Sequence, residues 1–460
     1  MSYKNSKYII LNPNSSMFLT KKTNNIVIED KLNETSKFSF FSVNDTGRTI
    51  VELVRGDKTL EQLIRIVCDK FNIDCKENSD WIIEFIEELT KRNVVTIMDH
   101  AKEHAQIKVY GNSELIAPLH VTIELTDKCN LKCKHCYLSA SNENNTFIDI
   151  AKFRELVEDL KANGVLNIEL TGGELFLNPD HMEIIGLCLD KFSSIGILTN
   201  ATIITNEAIE LLSKYKEKVF VNVSIDSTNP SLHDSFRGVE GSLKRTCDNT
   251  KKMTEAGLNV RVASSIFEDN MWEIDKLAEL SVKLGAIAFS YNFIEKFGRG
   301  LEFSKHKAVD KNKVTNYHEY IKMILEKYKD IIPIIENEHF IKGSSNCGAG
   351  VTSITVGADG NIRPCALTPR YMRLGNIFEE SYVNIFKNNI FRLLSEIPPP
   401  NKNNGCPEDC ENYYHCKGCY LKALEVNIKG RQPCEWMEKN ELYEVLRYYK
   451  GSDKFETIIF

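Results

Sequence analysis

The sequence predicts an α/β protein built on a partial (β/α)6, TIM-like barrel, with a small sheet-and-helix domain before it and a cysteine-rich domain after it. Three observations carry that prediction. Six strand-like runs between residues 119 and 291 alternate with amphipathic helical patterns, the order that yields a parallel sheet covered by helices. Residues 1–98 instead hold short β-type runs followed by three helical patterns. Seven of the 14 cysteines crowd into residues 347–434, a pattern that reads as metal ligation in a reducing compartment before it reads as disulfides.

Composition sets the outer limits. A chain of 460 residues has a prior of about three domains, and 42% apolar with 27% charged residues is ordinary for a folded globular protein. The net charge of −6 offers no general attraction to nucleic acid or anionic lipid. No stretch approaches the ~18 apolar residues of a membrane span, and the first residues lack the parts of a signal peptide, so a cytoplasmic location without membrane or nucleic-acid partners is expected.

In the N-terminal region, β-runs are expected at Tyr8–Leu11, Ile26–Ile28 and Phe38–Val43. Helices should follow Asn44, the capping-box pair Thr59 and Gln62, and Ser79, with a closing strand at Val94–Ile97. The layout is winged-helix-like. Residues 1–100 carry 14 basic and 15 acidic side chains, and the third helix bears Asp80, Glu84, Glu87 and Glu88 against Lys91 and Arg92, a face that phosphates would repel. Residues 100–118 read as a linker. Barrel strands are expected at 119–125, 165–170, 195–199, 219–225, 258–266 and 286–291, with a helix at 151–162 that covers the sheet through Phe153, Leu156, Val157 and Leu160 and ends at Gly164. Residues 304–340 read as helical, a short hairpin is expected at Ser353–Ile362, and Pro398–Gly405 reads as a loop.

The strongest chemical signal follows the first barrel strand. There TDKCNLKCKHCYL places Cys129, Cys133 and Cys136 in a CxxxCxxC array, and three thiolates on one loop suit three corners of a cubane iron-sulfur cluster with the fourth iron open. A structural zinc site is the alternative, though it would want a fourth ligand. The second strand ends in Thr171-Gly172-Gly173-Glu174, where glycines let a ligand approach the backbone and a carboxylate can meet a cation. Asn200 ends strand three, Ser224 and Asp226 end strand four, and Arg237 follows; a helix cap or a loop ion pair would also account for the last three.

The array together with the barrel resembles the radical S-adenosylmethionine (SAM) enzymes. His135 stands where that family usually has an aromatic residue, and Thr199-Asn200-Ala201 where it often has glycine third. The resemblance implies that Cys129, Cys133 and Cys136 bind a catalytic [4Fe-4S] cluster. It further implies that Gly172, Gly173 and Glu174 receive the SAM amino group, and that Asn200, Ser224, Asp226 and Arg237 lie around the rest of the cofactor. A reduced cluster would then cleave SAM to a 5′-deoxyadenosyl radical, with electrons from an external donor such as a flavodoxin or ferredoxin.

The C-terminal series is Cys347, Cys365 after Gly360, then Cys406, Cys410, Cys416, Cys419 and Cys434. It resembles the SPASM domain of peptide-modifying radical SAM enzymes, although the family's usual inner spacing differs. Two auxiliary [4Fe-4S] clusters are implied, three clusters in all: an outer one on Cys406, Cys410, Cys416 and Cys434, and an inner one on Cys347, Cys365 and Cys419 with an open site. Zinc is the alternative for these thiols. Cys68, Cys75, Cys188 and Cys247 lack such context and read as buried or free thiols. Residues 1–98 then resemble a PqqD-like element, which implies that the leader of a ribosomal precursor peptide adds to its sheet beside the third helix.

NMWEI from Asn270, FSYNF from Phe289, FGRG from Phe297, NCGAG from Asn346, RPCAL from Arg363, LGNIF from Leu374 and GCYLK from Gly418 resemble the sactisynthases. These enzymes of bacteriocin maturation join a cysteine sulfur to a peptide α-carbon. Other radical SAM/SPASM outcomes remain open at this point: β or γ thioethers, carbon-carbon crosslinks and formylglycine. The last is disfavoured, because sulfatase maturases usually lack an N-terminal peptide-binding domain. A non-catalytic metal-bound peptide scaffold is the rival from another class. The expected domains are 1–98 (leader recognition), 115–303 (barrel), 304–340 (helical bridge), 341–440 (SPASM) and 441–460 (tail).

Overall fold

A computed structural model describes residues 6–21, 23–32, 35–102, 106–307, 314–336, 347–369, 372–401, 405–407, 409–416, 418–428 and 434–450. The chain divides into two compact units, residues 1–117 with 161–165, and residues 118–160 with 166–460.

In the first unit, β1 (Tyr8–Leu11) pairs antiparallel with β5 (Val95–Met98), placing Tyr8 opposite Met98. β2 (Ser15–Leu19), β3 (Asn24–Leu32), β4 (Thr35–Val43) and β6 (Lys108–Gly111) form a second sheet in the order β4-β3-β2-β6. Strand β6 lies in the stretch read as a linker, where its backbone pairs parallel to β2 although its side chains show no apolar alternation. Helix α1 (Asp45–Leu53) is capped by the Asn44 side chain, and α2 (Leu60–Phe71) by a reciprocal Thr59–Gln62 box. Helix α3 (Cys75–Lys91) starts earlier than expected: Asp74, not Ser79, accepts from the Lys76 backbone N–H and caps it. Ile9, Met17, Ile26, Ile50, Leu63, Val67, Ile82 and Ile86 form the core. Cys68 and Cys75 are joined by a disulfide, which corrects their reading as unpaired thiols. Asn72, left-handed at φ 52°, turns the chain between α2 and α3 so that the two Cα atoms come within 5.6 Å.

The second unit has the expected barrel strands: β7 (His120–Glu124), β8 (Asn167–Thr171), β9 (Ser194–Thr199), β10 (Val219–Ser224), β11 (Asn259–Ile266) and β12 (Ala288–Phe293), each parallel to the next. Helix α4 (Ile150–Ala162) buries Phe153, Leu156, Val157 and Leu160. The later crossovers carry α5 (His181–Lys191), α6 (Asn206–Ser213), α7 (Pro230–Arg237), α8 (Ser242–Glu255) and α9 (Ile274–Lys283).

The sheet extends past the barrel at both ends. β13 (Ile334–Glu336) joins β12 inside the stretch read as helical, after helices Gly300–Lys307 and Val314–Tyr328. β14 (Ser353–Val356) pairs parallel to the free side of β7, and the hairpin continues through β15 (Asn361–Arg363) and β16 (Gly375–Asn376). The stretch read as a tail contains the helix Tyr443–Lys450, with Val445 fully buried. Asn346, residues 402–404 of the proline-rich loop and 451–460 of the expected tail lie outside the described residues. Among the described residues no helix is long and apolar enough to cross a membrane.

Candidate active site

Parallel sheets gather function at the carboxyl ends of their strands, and the site forms there. The β7 loop folds back so that the Cys129 N–H donates to the Ser141 carbonyl at 3.0 Å, while Lys132 and Lys134 donate to the Arg237 and Phe236 carbonyls, each at 3.0 Å. Arg299, from the FGRG segment, clamps the loop from the other side: Nε donates to the Cys133 carbonyl at 2.7 Å and Nη2 to that of Ala140 at 2.8 Å. Gly298 beside it has φ 52°, and a Cβ there would lie 2.4 Å from the carbonyl oxygens of Cys136 and Tyr137.

Each thiol has an N–H aimed at it. Leu131 N–H points to Cys129 Sγ at 3.4 Å, Arg237 Nη1 to Cys133 Sγ at 3.7 Å, and Ala140 N–H to Cys136 Sγ at 3.4 Å. Asn200 Nδ2 adds a 3.9 Å contact to Cys129. Burial pushes the Cys129 thiol up to about 12 and raises that of Cys133, the latter against the opposing pull of Arg237. The donors already in place suit thiolate sulfurs, so the residues present fit an iron-sulfur cluster.

Glu174 is fully buried at the end of β8. Its carboxylate accepts from Thr199 Oγ1 at 2.8 Å, the Asn200 N–H at 2.9 Å and the Phe176 N–H at 3.3 Å, and burial still pushes it up to about 7. Gly173 makes this possible, because a Cβ there would sit 2.1 Å from the Lys128 carbonyl; its own neighbour Gly172 packs on Thr126. Asn200 thus touches both Glu174 and Cys129. Ala201 after it holds φ 56°, which supplies a physical reason for glycine at that position in related chains.

Asp226 and Arg237 form a buried ion pair, Nε to Oδ2 at 2.5 Å, and Asp226 Oδ1 accepts from the Ser265 N–H at 2.9 Å. Burial alone would raise the Asp226 carboxyl, but Arg237 holds it below its ordinary range. In this structure both side chains are thus engaged as a buried ion pair. Ser224 is half-buried at the end of β10. His135 stacks on Phe236 with centroids 4.5 Å apart and planes within 5°, so the imidazole takes the aromatic place; burial lowers it to about 3 and keeps it neutral.

The C-terminal thiols separate into two sets. Cys347, Cys365 and Cys419 line one pocket with Phe297, Ala349 and Lys422. Cys406, Cys410, Cys416 and Cys434 line another cavity of about 340 Å³. Sequence reasoning missed the second layer: Arg299, Tyr137, and the Glu124–Arg363 pair. The FGRG and RPCAL segments contain two of these residues, but their partners are far away in sequence.

Comparison with known proteins agrees with this geometry. The model of the radical SAM superfamily matches residues 123–281, that of the iron-sulfur cluster-binding (SPASM) domain residues 347–420, and that of coenzyme PQQ synthesis protein D residues 7–95. These matches define a radical SAM enzyme that uses SAM and [4Fe-4S] clusters, with a SPASM domain and a PqqD-type domain. The chain is 39% identical over 414 residues to the antilisterial bacteriocin subtilosin biosynthesis protein AlbA of Bacillus subtilis, covering 90% of this chain and 92% of that one. It is 28% identical to the sporulation killing factor maturation protein SkfB of the same organism, over 75% of this chain and 82% of that protein. In fold it is similar to Streptococcus suis SuiB bound to precursor peptide SuiA, with TM-score 0.62 at 16% identity, over 93% of this chain and 98% of that one. The chain belongs to the AlbA family of radical SAM/SPASM enzymes.

Proposed function

We propose that this enzyme forms cysteine sulfur-to-α-carbon thioethers within a ribosomally made precursor peptide. The observation that carries the reading is the 39% identity to the subtilosin biosynthesis protein over nine-tenths of the chain, spanning all three matched domains. When bound, a reduced [4Fe-4S] cluster and SAM supply a 5′-deoxyadenosyl radical. Cys129, Cys133 and Cys136 would hold that cluster. Glu174 offers its carboxylate to the SAM ammonium, in a cradle whose backbone is closed by Gly172 and Gly173.

Each thioether removes two hydrogens from the peptide. One would be lost from the α-carbon as a hydrogen atom; the sulfur would lose its proton, and one further electron would leave as the S–C bond closes. The two C-terminal thiol sets would hold auxiliary [4Fe-4S] clusters, and Cys347, Cys365 and Cys419 would hold the inner, three-thiol one, which would supply an electron acceptor. Leader recognition is assigned to the PqqD-type domain: β4 lies at the end of its sheet, and the acidic residues of α3 suit a basic leader segment.

Coexpression with a candidate precursor tests the chemistry. Each crosslink is expected to lower the peptide mass by two hydrogens, with fragmentation locating the bond at an α-carbon and Cys133→Ala leaving the mass unchanged. Iron analysis tests the clusters, with about 12 irons in the wild type and about 8 in Cys129→Ala/Cys133→Ala/Cys136→Ala.

A further inference from the structure

One buried contact joins the loop of the first thiol set to the loop of the inner auxiliary set. Arg363 lies at the end of β15, two residues before Cys365, and its Nη2 donates to Glu124 Oε1 at the end of β7; the side chains are 4% and 5% exposed. Arg363 Nη1 also donates to the carbonyls of Ala366 at 3.1 Å and Thr368 at 3.0 Å, just beyond Cys365. The Cys365 N–H donates in turn to Thr368 Oγ1 at 3.2 Å. On the other side, Glu124 Oε1 accepts from the hydroxyl of Tyr137 at 3.1 Å, and Tyr137 directly follows Cys136. The guanidinium fork therefore braces the Cys365 loop, and the carboxylate braces the Cys136 loop.

The proposed chemistry consumes neither charge. A well-packed apolar pair could fill the same space without the desolvation cost of two buried ions. What an apolar pair cannot supply is a fixed cation beside the Cys365 loop with its counter-charge turned toward the barrel. Local charge is one of the terms that set an iron-sulfur potential, because reduction adds a negative charge that a nearby cation stabilises and a nearby anion opposes.

We propose that Arg363 and Glu124 are positioning residues that couple the two loops and set the potential of the inner auxiliary cluster, with Arg363 favouring its reduced form and Glu124 opposing it. The proposal rests on the assignment of Cys347, Cys365 and Cys419 to such a cluster. In terms of the reaction, the cation makes that cluster a readier acceptor of the single electron released as the S–C bond closes.

The test is a dithionite titration, followed by electron paramagnetic resonance, of the fully loaded chain. Comparison with Cys365→Ala identifies the inner cluster's signal. Glu124→Gln removes the opposing charge and should favour the reduced form about tenfold, a rise of about 59 mV for one electron. Glu124→Gln/Arg363→Gln differs from it only by the cation and should reverse that rise. Arg363→Lys keeps the charge but loses the fork; its potential should stay within about threefold of wild type in the same equilibrium. It checks that the shifts in the glutamine variants report charge and not the lost hydrogen bonds of the guanidinium. A purely structural role predicts shifts of one sign that grow from the single to the double variant, or none, and either result overturns the proposal. If Cys365→Ala removes no iron and no signal, the inner-cluster assignment itself falls and the proposal with it.

Discussion

The two regions of clustered thiols are held in different ways. In the barrel, three thiols sit within eight residues on a loop pinned by Ser141, Phe236, Arg237 and Arg299, and every sulfur has an N–H directed at it by the protein alone. In the C-terminal domain, Cys406, Cys410 and Cys416 lie within eleven residues, Cys434 comes eighteen residues later, and together they line a cavity of about 340 Å³. The helices that flank them, Tyr413–Cys416, which ends on one of these cysteines, and Glu435–Lys439, which starts just after another, are too brief to be stable alone. The first site is thus held by the scaffold itself. On the proposed assignment, cluster binding at the second would contribute folding free energy directly.

The largest expected effect tests that contrast. Cys410→Ala/Cys416→Ala should open the C-terminal domain, giving protease cleavage near residues 400–435 and a fall in Tm of more than about 10 °C, since structural metals are worth roughly 10 kcal/mol in small domains. Cys129→Ala/Cys133→Ala/Cys136→Ala should leave the melting profile nearly unchanged; equal losses in the two variants would erase the contrast. Next comes Arg237→Leu, which strands the buried Asp226 carboxylate and should cost roughly 3–5 kcal/mol in urea unfolding. A smaller cost would mean that Asp226 finds another partner.

A pH series sharpens the electrostatics. Glu174 is raised from 4.5 to about 7, so the folded state holds its proton more tightly than the unfolded chain. Its contribution to stability is full below about pH 4.5 and is lost as pH rises through about 7. His135 and His233, lowered by burial to about 3 and about 4, act in the opposite sense below pH 6.5, so the measurement is the difference between wild type and Glu174→Gln. SAM binding should run against stability: the ammonium needs the carboxylate, so affinity should rise through about pH 7 in wild type and stay weak and flat in Glu174→Gln. The smallest effect is His135→Phe, which keeps the stack on Phe236 and removes a buried Nδ1 without a hydrogen-bond partner; a gain of about 1 kcal/mol is expected with iron content unchanged.

The barrel was legible because its signal is local. Apolar runs such as Val219–Ser224 and the stripe on α4 announce themselves within a dozen residues, and observed strand bounds fall within about two residues of those expected. The thiol arrays were legible because spacing alone carries them. Strands β2 and β6 were not: Ser15-Ser16 opens one with polar residues, and Lys108–Gly111 is too short for alternation to register. Strand β13 and the Glu124–Arg363 pair depend on partners that only the folded chain brings near, the latter 239 residues apart. The left-handed Ala201 was visible only as a departure from a motif, and the backbone angle gives that departure its meaning.

The pairing of β14 with β7 has a consequence for how the chain is made. One side of β7 finds β8 soon after both are synthesised, but its other side waits for Ser353–Val356, about 230 residues later. At about 5–20 residues per second, the nascent barrel carries an open strand edge for roughly 10–50 s on the ribosome. Such an edge is a template for pairing with other chains. Yield in cells should therefore depend on translation speed and chaperone supply across residues 125–356, even though the finished protein covers that edge with its own last domain.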